Sequence, residues 1–200
     1  DSSGIMTDNR GVLCLRKSNG LVTDVFSKKH MLRLQGNMGI GHVRYPTAGS
    51  LSSMEAQPFY VNSPFGVCLA HNGNLVNTDE LREHLNLVDR RHLNTQSDTE
   101  VLLNLFAHEL HKNYRQELTP ETVFQAVKGV FENSSGGYAV ISMILNEGLV
   151  AFRDPNGIRP IVIGTKESDQ GTNYMIASES VALDVLGYSL LRDVLPGEAI

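Results

Sequence analysis

The sequence predicts an α+β fold with mainly antiparallel sheets, and two observations support this prediction. Strand-like patterns occupy the first and last thirds of the chain, whereas helical patterns are confined to one block between them. Strands and helices that are segregated along the chain are typical of layered α+β folds rather than of alternating βα units. The 200 residues contain no internal repeat and no evident linker, so we expect a single domain over residues 1–200.

The first third of the chain is predicted to consist of strands joined by loops. GVLCLRK, at residues 11–17, has the two-residue period of a strand, and NMGIGHVRYP, at residues 37–46, is an apolar run leading into a loop. Residues 46–53 are mostly small, which favours a lid-like loop because few of its side chains can anchor it. FYV, a turn at residues 62–66 and VCLAH together predict a hairpin.

The middle block is predicted to be helical because each of its segments has a start signal. NTDELREHL begins with Asn77 or Thr78 as the N-cap, and the S-D-T-E sequence at residues 97–100 has the spacing of a capping box. Thr119-Pro120-Glu121 places a proline where the first turn of a helix accepts it. We expect residues 134–137 to end the last of these helices.

The last third of the chain returns to strand patterns. YAVISMIL, GLVAFRD, PIVIGTK and NYMIASES are predicted strands, and ALDVLGY is a predicted short helix. LRDVLPGEAI is predicted to be a strand with a turn at Pro196-Gly197. We expect the natural chain to continue past this extended segment.

Composition excludes several classes of function. A net charge of −5 without basic clusters disfavours nucleic acid and membrane surfaces as partners. No apolar run approaches the ~18 residues that span a bilayer, and no signal peptide is visible. Two cysteines, Cys14 and Cys68, do not make a disulfide framework, so we expect a reducing, cytoplasmic location.

Arg44, in GHVRYPTAGS, is a candidate for binding a carboxylate. Its planar guanidinium can bind both carboxylate oxygens, and Thr47 could add a hydroxyl to the same group. The alternative is an ordinary surface arginine at the end of a strand.

Asn72 and Gly73, in AHNGNL, are candidates for an oxyanion hole. The Asn72 amide and the Gly73 backbone N–H could both donate to an oxygen that becomes negative during a reaction. The alternative is structural, because Asn-Gly between apolar segments is the commonest signal for a tight hairpin turn.

Asp98, in NTQSDTE, is a candidate for binding an ammonium group. A carboxylate at the start of a helix would be held rigidly. The alternative is a purely helical role, since acidic residues in a first turn interact favourably with the helix dipole. Together the three segments supply the groups that would bind a free α-amino acid while an oxyanion forms on its side chain.

The remaining reactive residue types show no catalytic pattern. Cys14 and Cys68 lie in apolar strands without a sequence neighbour that would lower their pKa, so we expect both in the core. The seven histidines show no metal-binding spacing, and no phosphate-binding loop is present. We therefore predict no metal or cofactor in this domain.

The three segments, in this order, resemble the class II glutamine amidotransferase domain, an N-terminal-nucleophile hydrolase. EAQPFYVNSPFG, FRDPNGIRPIVIG, ASESVALD and LRDVLPGEAI resemble, within that class, the amidophosphoribosyltransferase family. This likeness extends over essentially all 200 residues. It implies a four-layer αββα sandwich, with two antiparallel sheets between layers of helices.

The resemblance also implies roles for individual residues. Arg44 and Thr47 would hold the carboxylate of glutamine, Asp98 its ammonium, and Asn72 and Gly73 would form the oxyanion hole. Residues 44–55 match a loop that closes over glutamine, and Tyr45 at its base is a candidate for positioning that closure. These roles make glutamine the predicted substrate.

The family's nucleophile is an N-terminal cysteine on a first strand, and this chain departs from that pattern because it begins at Asp1. We expect the first strand and the helix after it to be missing, and the fragment to be inactive. The resemblance implies a phosphoribosyltransferase domain in the same polypeptide, outside this chain, which would bind phosphoribosyl pyrophosphate and Mg²⁺. It also implies a homo-oligomer, with the tetramer as the expected form of the intact parent protein.

Two other functions remain open on the sequence. A domain without a nucleophile could bind glutamine as a sensor or serve as a subunit interface. The chain could also belong to another class II amidotransferase, such as a glucosamine-6-phosphate synthase, in which the acceptor of ammonia differs.

Overall fold

The computed structural model describes residues 1–45 and 53–200. Within these ranges the chain forms ten strands and six α-helices. The strands are β1 Ser2–Asn9, β2 Val12–Asn19, β3 Met38–Arg44, β4 Phe59–Val61, β5 Val67–Leu75, β6 Gly136–Ile144, β7 Gly148–Arg153, β8 Val162–Ser168, β9 Gly171–Ala177 and β10 Ser189–Asp193. The helices are α1 Val22–Val25, α2 Lys28–Met31, α3 Thr78–Leu87, α4 Asp98–Asn113, α5 Pro120–Asn133 and α6 Ser180–Leu186.

The predicted order of strands, helices and strands is confirmed. The three helices of the middle block start where their caps predicted, with Asn77, Ser97 and Thr119 at the N-cap positions. Helices α1 and α2 were not predicted, because four residues are too few to show a helical period. The proposed lid falls mainly on residues 46–52, which lie outside the described residues.

The capping box at the start of α4 forms only in part. The Ser97 hydroxyl accepts a hydrogen bond from the Thr99 backbone N–H at 3.3 Å, as expected of an N-cap. The Glu100 carboxylate turns to the preceding loop instead, where it accepts bonds from the backbone N–H groups of Asn94 and Thr95. The carboxylate therefore fixes the chain that enters α4 rather than closing the reciprocal bond.

A four-stranded antiparallel sheet in the order β4-β5-β6-β7 lies at the centre of the fold. The predicted hairpin is confirmed, since β4 and β5 pair with Phe59 opposite Leu69. One face of this sheet packs against α4 and α5. Apolar side chains are buried along most of the length of α4. This helix–sheet contact forms the largest hydrophobic cluster in the described residues.

Two three-stranded antiparallel sheets, ordered β2-β1-β3 and β10-β8-β9, cover the other face of the central sheet. Met6 and Ile40 of the first pack against Cys68 and Met143 of the central sheet. Ile176 of the second three-stranded sheet packs on another part of the same face, against the cluster that contains Ala139 and Ala151. The face is therefore shared between two separate sheets.

Helix α6 completes the sandwich on the outer side of β8 and β9. Its buried Leu183 packs with Met175 and Ala177, the neighbours of Ile176 that point away from the central sheet. A side chain at Gly164 would meet Leu183 at 2.8 Å, so the glycine permits this close packing. The order helix, sheet, sheet, helix confirms the predicted αββα architecture. No helix of the described residues is long and apolar enough to cross a membrane.

The two cysteines differ in burial. Cys68 is fully buried on β5, as predicted, and burial raises the pKa of its thiol to about 12. Cys14 is only half-buried on β2, so the prediction of a core position was wrong for it. The reason is that β2 is the outer strand of its sheet, where no further strand covers it in the described residues.

Replacing Phe152 with alanine is expected to lower the free energy of unfolding by about 3–5 kcal/mol. Phe152 is fully buried, and its ring lies 5.8 Å from that of Phe106, 5.9 Å from Phe131 and 6.4 Å from Tyr138. Urea denaturation measures the change. The matched control is Phe124→Ala, because Phe124 is 40% exposed and should cost less than about 1.5 kcal/mol. Equal losses for the two variants would contradict the assignment of Phe152 to the centre of the core.

Candidate active site

A cleft of about 800 Å³ opens where the end of β3, the middle of β5 and the start of α4 come together. Its lining contains five of the six predicted site residues: Arg44, Tyr45, Asn72, Gly73 and Asp98. The sixth, Thr47, lies outside the described residues. The fold thus brings together three segments that are far apart in the sequence.

Arg44 is the last residue of β3, and its side chain is largely buried. Its Nη2 lies 3.1 Å from Oε2 of Glu55, whose residue is only 2% exposed. This ion pair holds the guanidinium at the cleft. Because a guanidinium carries five N–H donors, a bond to Glu55 does not by itself prevent Arg44 from binding a second carboxylate.

Tyr45 follows β3 directly and is 76% exposed. Its side chain stands at the mouth of the cleft rather than on its floor. The predicted role in closure over a substrate stays a prediction.

Asn72 and Gly73 lie inside β5, which continues to Leu75. They face Ala139 and Tyr138 of β6 in an unbroken register, so the alternative of a tight hairpin turn was wrong. Gly73 has a φ of +135°, and a Cβ at this position would lie 2.0 Å from the carbonyl oxygen of Gly137. Only glycine can occupy this position without moving the backbone of β6.

Asp98 is the first residue of α4, with its side chain 22% exposed at the cleft. Its Oδ2 accepts a hydrogen bond from the Leu75 backbone N–H at 3.2 Å and lies 3.5 Å from Nε2 of His71. Burial alone would raise the pKa of Asp98. The interactions with His71 and the backbone N–H groups of Leu75 and Thr99 outweigh burial and hold that pKa below its usual value. Asp98 is therefore an anion at neutral pH.

His42 is a site residue that the sequence analysis missed. Its Nε2 lies 3.1 Å from Oδ1 of Asn72, so the imidazole of β3 contacts the amide of β5. Burial lowers the pKa of His42 to about 4, despite the opposing effect of its hydrogen bond to Asn72. One signal was available, because residues two apart on a strand share a face, and His42 precedes Arg44 by two.

His71 was also missed, although it directly precedes Asn72. Its Nδ1 lies 2.9 Å from the Thr99 hydroxyl, and its Nε2 approaches Asp98. The side-chain amide of Gln57 bonds to both backbone groups of His71, accepting from its N–H at 2.7 Å and donating to its carbonyl at 3.2 Å. The imidazole is thereby held between β5 and the first turn of α4.

A second groove, of about 490 Å³, adjoins the cleft and shares His42, His71 and Asn72 with it. The groove runs between β3 and β9, each of which is the last strand of its three-stranded sheet in the described part of the chain. Its floor is the central sheet, at Ala70, Ala139 and Ile141. The floor is apolar, and its two walls are strand edges.

Neither cysteine is among the described residues that line the cleft. Within residues 1–45 and 53–200, no group of three or more His, Cys, Asp or Glu side chains could hold a metal ion. The residues that do line the cleft, among them Arg44, Asn72 and Asp98, can pair charges and form hydrogen bonds with a polar ligand.

A family model described as a glutamine amidotransferase domain matches residues 42–185 of the chain. The amidophosphoribosyltransferase of Pseudomonas aeruginosa is 60% identical over 200 residues, and that of Escherichia coli K12 is 59% identical over 202. The amidophosphoribosyltransferase of Schizosaccharomyces pombe is 51% identical over 201 residues. Each match takes in the whole chain, which spans 40% of the two bacterial relatives and 38% of the yeast one.

The fold is also found in solved structures. The glutamine phosphoribosylpyrophosphate amidotransferase from B. subtilis, complexed with ADP and GMP, has a TM-score of 0.80 at 34% identity, over 99% of this chain and 40% of that chain. A structure described as the allosteric regulatory enzyme of purine biosynthesis has a TM-score of 0.82 at 35% identity, over 100% of this chain and 40% of that chain. The predicted fold type, that of the N-terminal-nucleophile hydrolases, is confirmed.

Replacing Gly73 with alanine is expected to lower the free energy of unfolding by at least about 2 kcal/mol. The added Cβ would collide with the carbonyl oxygen of Gly137, and the positive φ adds backbone strain. The control is Gly148→Ala, because Gly148 has a φ of +152° but nothing within 4 Å of an added Cβ. Denaturation of both variants separates the collision from the strain, and a loss no larger at Gly73 than at Gly148 would contradict the close approach.

Replacing Asp98 with asparagine is expected to destabilise the fold at neutral pH and less so in acid. The folded-state pKa of Asp98 is lowered, so its ionised form contributes stability above the ordinary aspartate pKa of about 3.9. That contribution is lost as the pH falls through the lower folded-state pKa. Denaturation at about pH 7 and about pH 3 measures the difference. Asp169→Asn, in the exposed turn between β8 and β9, is the control, and a pH-independent loss at Asp98 would contradict the argument.

Proposed function

Because the chain belongs to the glutamine amidotransferase domain family, we propose that it is the glutamine-hydrolysing part of an amidophosphoribosyltransferase. The observation that carries this proposal is the cleft in which Arg44, Asn72, Gly73 and Asp98 meet. Two charges of opposite sign and a pair of neutral donors suit a free amino acid with an amide side chain. The identity of 60% to an amidophosphoribosyltransferase supports the choice within the family.

The backbone part of glutamine would be recognised by charge. Arg44 would bind its α-carboxylate, with Thr47 proposed from the sequence to add a hydroxyl. Asp98 would bind the α-ammonium, and its lowered pKa keeps it ionised for that purpose. Both side chains are partly withdrawn from water, which strengthens charge interactions with a ligand.

The side-chain carbonyl of glutamine would be activated by the middle of β5. The Asn72 amide and the Gly73 backbone N–H would donate hydrogen bonds to the oxygen as it becomes negative. Such donors are effective when they are held in place before the reaction begins. Here the paired strand and the contact with His42 restrict Asn72, and the collision with Gly137 excludes other residues at Gly73.

We propose that the strand bearing the nucleophile occupies the groove between β3 and β9. Both strands end their sheets in the described residues, so a strand placed between them would gain hydrogen bonds on both sides. The small apolar floor at Ala70 and Ala139 would accept its side chains. Because the groove adjoins the cleft at His42 and Asn72, a nucleophile on that strand would reach the bound amide.

The proposed reaction is an acyl transfer through a thioester. The cysteine α-amino group takes the thiol proton, and the thiolate forms a C–S bond to the side-chain carbon while the carbonyl electrons move to oxygen. Collapse restores the C=O bond and breaks the C–N bond, and the nitrogen takes up the proton and leaves as ammonia. Water then cleaves the thioester, which gives glutamate and the free thiol.

The activity of the whole protein is proposed to need a second domain, since the chain spans about two fifths of its curated relatives. There ammonia would displace pyrophosphate from phosphoribosyl pyrophosphate, with Mg²⁺, to give phosphoribosylamine for purine synthesis. We further propose a homotetramer in the cytoplasm. For the 200 residues alone we propose no turnover, because neither Cys14 nor Cys68 is at the cleft.

Replacing Asn72 with alanine in the full-length protein is expected to lower kcat for glutamine hydrolysis by about 10²–10³-fold. The KM for glutamine should change little, because Arg44 and Asp98 remain. Synthesis of phosphoribosylamine from free ammonia should be preserved, because that step does not use the cleft. Glutamate release and pyrophosphate release measure the two activities separately.

Three comparisons decide the outcome. His111→Gln, at the exposed end of α4, should leave both activities unchanged. The 200-residue chain, assayed beside the full-length protein, should not hydrolyse glutamine. Full glutaminase activity in Asn72→Ala would overturn the oxyanion hole, and an unsubstituted protein without glutaminase activity would overturn the proposed function.

A further inference from the structure

The contact between His42 and Asn72 joins two different sheets. His42 lies on β3, in a three-stranded sheet, and Asn72 lies on β5 of the central sheet. His42 Nε2 is 3.1 Å from Asn72 Oδ1, which is a hydrogen-bond distance. The histidine therefore contacts the half of the amide that is not the proposed donor to the substrate.

The chemistry of this contact determines which ring nitrogen of His42 carries the proton. An amide oxygen only accepts hydrogen bonds, so Nε2 of His42 must carry the hydrogen. Burial lowers the pKa of His42 to about 4, and the nearby positive charge of Arg44 adds to that effect. The ring is consequently neutral near neutral pH and has a single N–H, which leaves Nδ1 without one.

The opposite tautomer of His42 would reverse the orientation of the Asn72 side-chain amide. With its proton on Nδ1, His42 would present a lone pair from Nε2 toward the lone pairs of Asn72 Oδ1. The amide would then turn over to donate from its NH₂ group to the ring, and Oδ1 would face the cleft. An oxygen in that place would repel an oxyanion. Nδ1 of His42 is buried and has no hydrogen-bond partner in the described residues, so a proton on Nδ1 would be unsatisfied, whereas a proton on Nε2 is bonded to Asn72.

We propose that His42 is a positioning residue, whose Nε2–H holds the Asn72 amide with its NH₂ group toward the oxyanion that forms in the cleft. This inference rests on the proposed function of the cleft. It adds a residue that decides which end of the Asn72 amide faces the oxyanion. His42 itself does not contact the reacting atoms, and it acts only through the orientation of Asn72.

Replacing His42 with alanine in the full-length protein is expected to lower kcat for glutamine hydrolysis about 10–100-fold. KM for glutamine should change by less than about 3-fold, because Arg44 and Asp98 hold the amino acid. His42→Gln should recover most of the activity, since its NH₂ group can donate to Asn72 Oδ1 and cannot act as a base. No recovery in His42→Gln would overturn the positioning role in favour of proton transfer by the ring.

The double variant His42→Ala/Asn72→Ala separates positioning from a general structural effect. If His42 acts only through Asn72, the double variant should be no slower than Asn72→Ala alone. Losses that multiply would overturn the proposal. His111→Gln is the matched control, and thermal unfolding of every variant identifies losses that come from a damaged fold.

A measurement without turnover keeps this inference separate from the proposed function. Selective ¹⁵N labelling of histidine in the full-length protein reports which ring nitrogen of His42 carries the proton, with His42→Gln used to assign its signals. A proton on Nε2 at neutral pH is the expected result. A proton on Nδ1 would overturn the inference even in a fully active enzyme, whereas absent glutaminase activity with the Nε2 tautomer would overturn only the proposed function.

Discussion

The close approach of β5 and β6 at Gly73 and Gly137 is the constraint on which the rest of the site depends. A Cβ at Gly73 would lie 2.0 Å from the Gly137 carbonyl oxygen, and one at Gly137 would meet Ile158 at 2.8 Å. Because neither strand carries a side chain there, β5 stays in register through Asn72 and reaches Leu75, whose backbone N–H contacts Asp98. One strand thus connects the amide, the glycine and the carboxylate.

The charged residues of the cleft are held by the elements from which they emerge. Arg44 ends β3 and is paired with the buried Glu55, while Asp98 begins α4 and is bonded to Leu75. Each charge therefore has a partner from the protein before any ligand arrives. Charges that are already oriented and partly removed from water interact more strongly with a ligand than mobile surface charges do. These partners explain how the charged side chains of Arg44 and Asp98 can be partly buried, which contact with the hydrophobic core alone would not allow.

The local patterns of the sequence predicted most elements because those patterns have local causes. The β4–β5 hairpin followed from two short apolar runs around a turn, and α4 and α5 followed from Ser97 and Thr119 as caps. The same reasoning failed where a contact outside the local motif replaces the one that the motif predicts. The Glu100 carboxylate bonds to residues 94 and 95 rather than to its cap, and Asn72-Gly73 continues a strand because β6 pairs with it.

The sequence by itself determined the identities and order of the site residues, together with the helix caps and strand periods that place them on their elements. It could not determine that His42 contacts Asn72 or that His71 approaches Asp98, since these pairs are 30 and 27 positions apart. Such contacts depend on how β3 lies over the central sheet and on where α4 begins. Those arrangements come from the packing of apolar faces and from glycines that admit a neighbouring backbone. Only the tertiary structure therefore decided the partners of the charged and polar groups, and with them the pKa of His42 and the orientation of the amide.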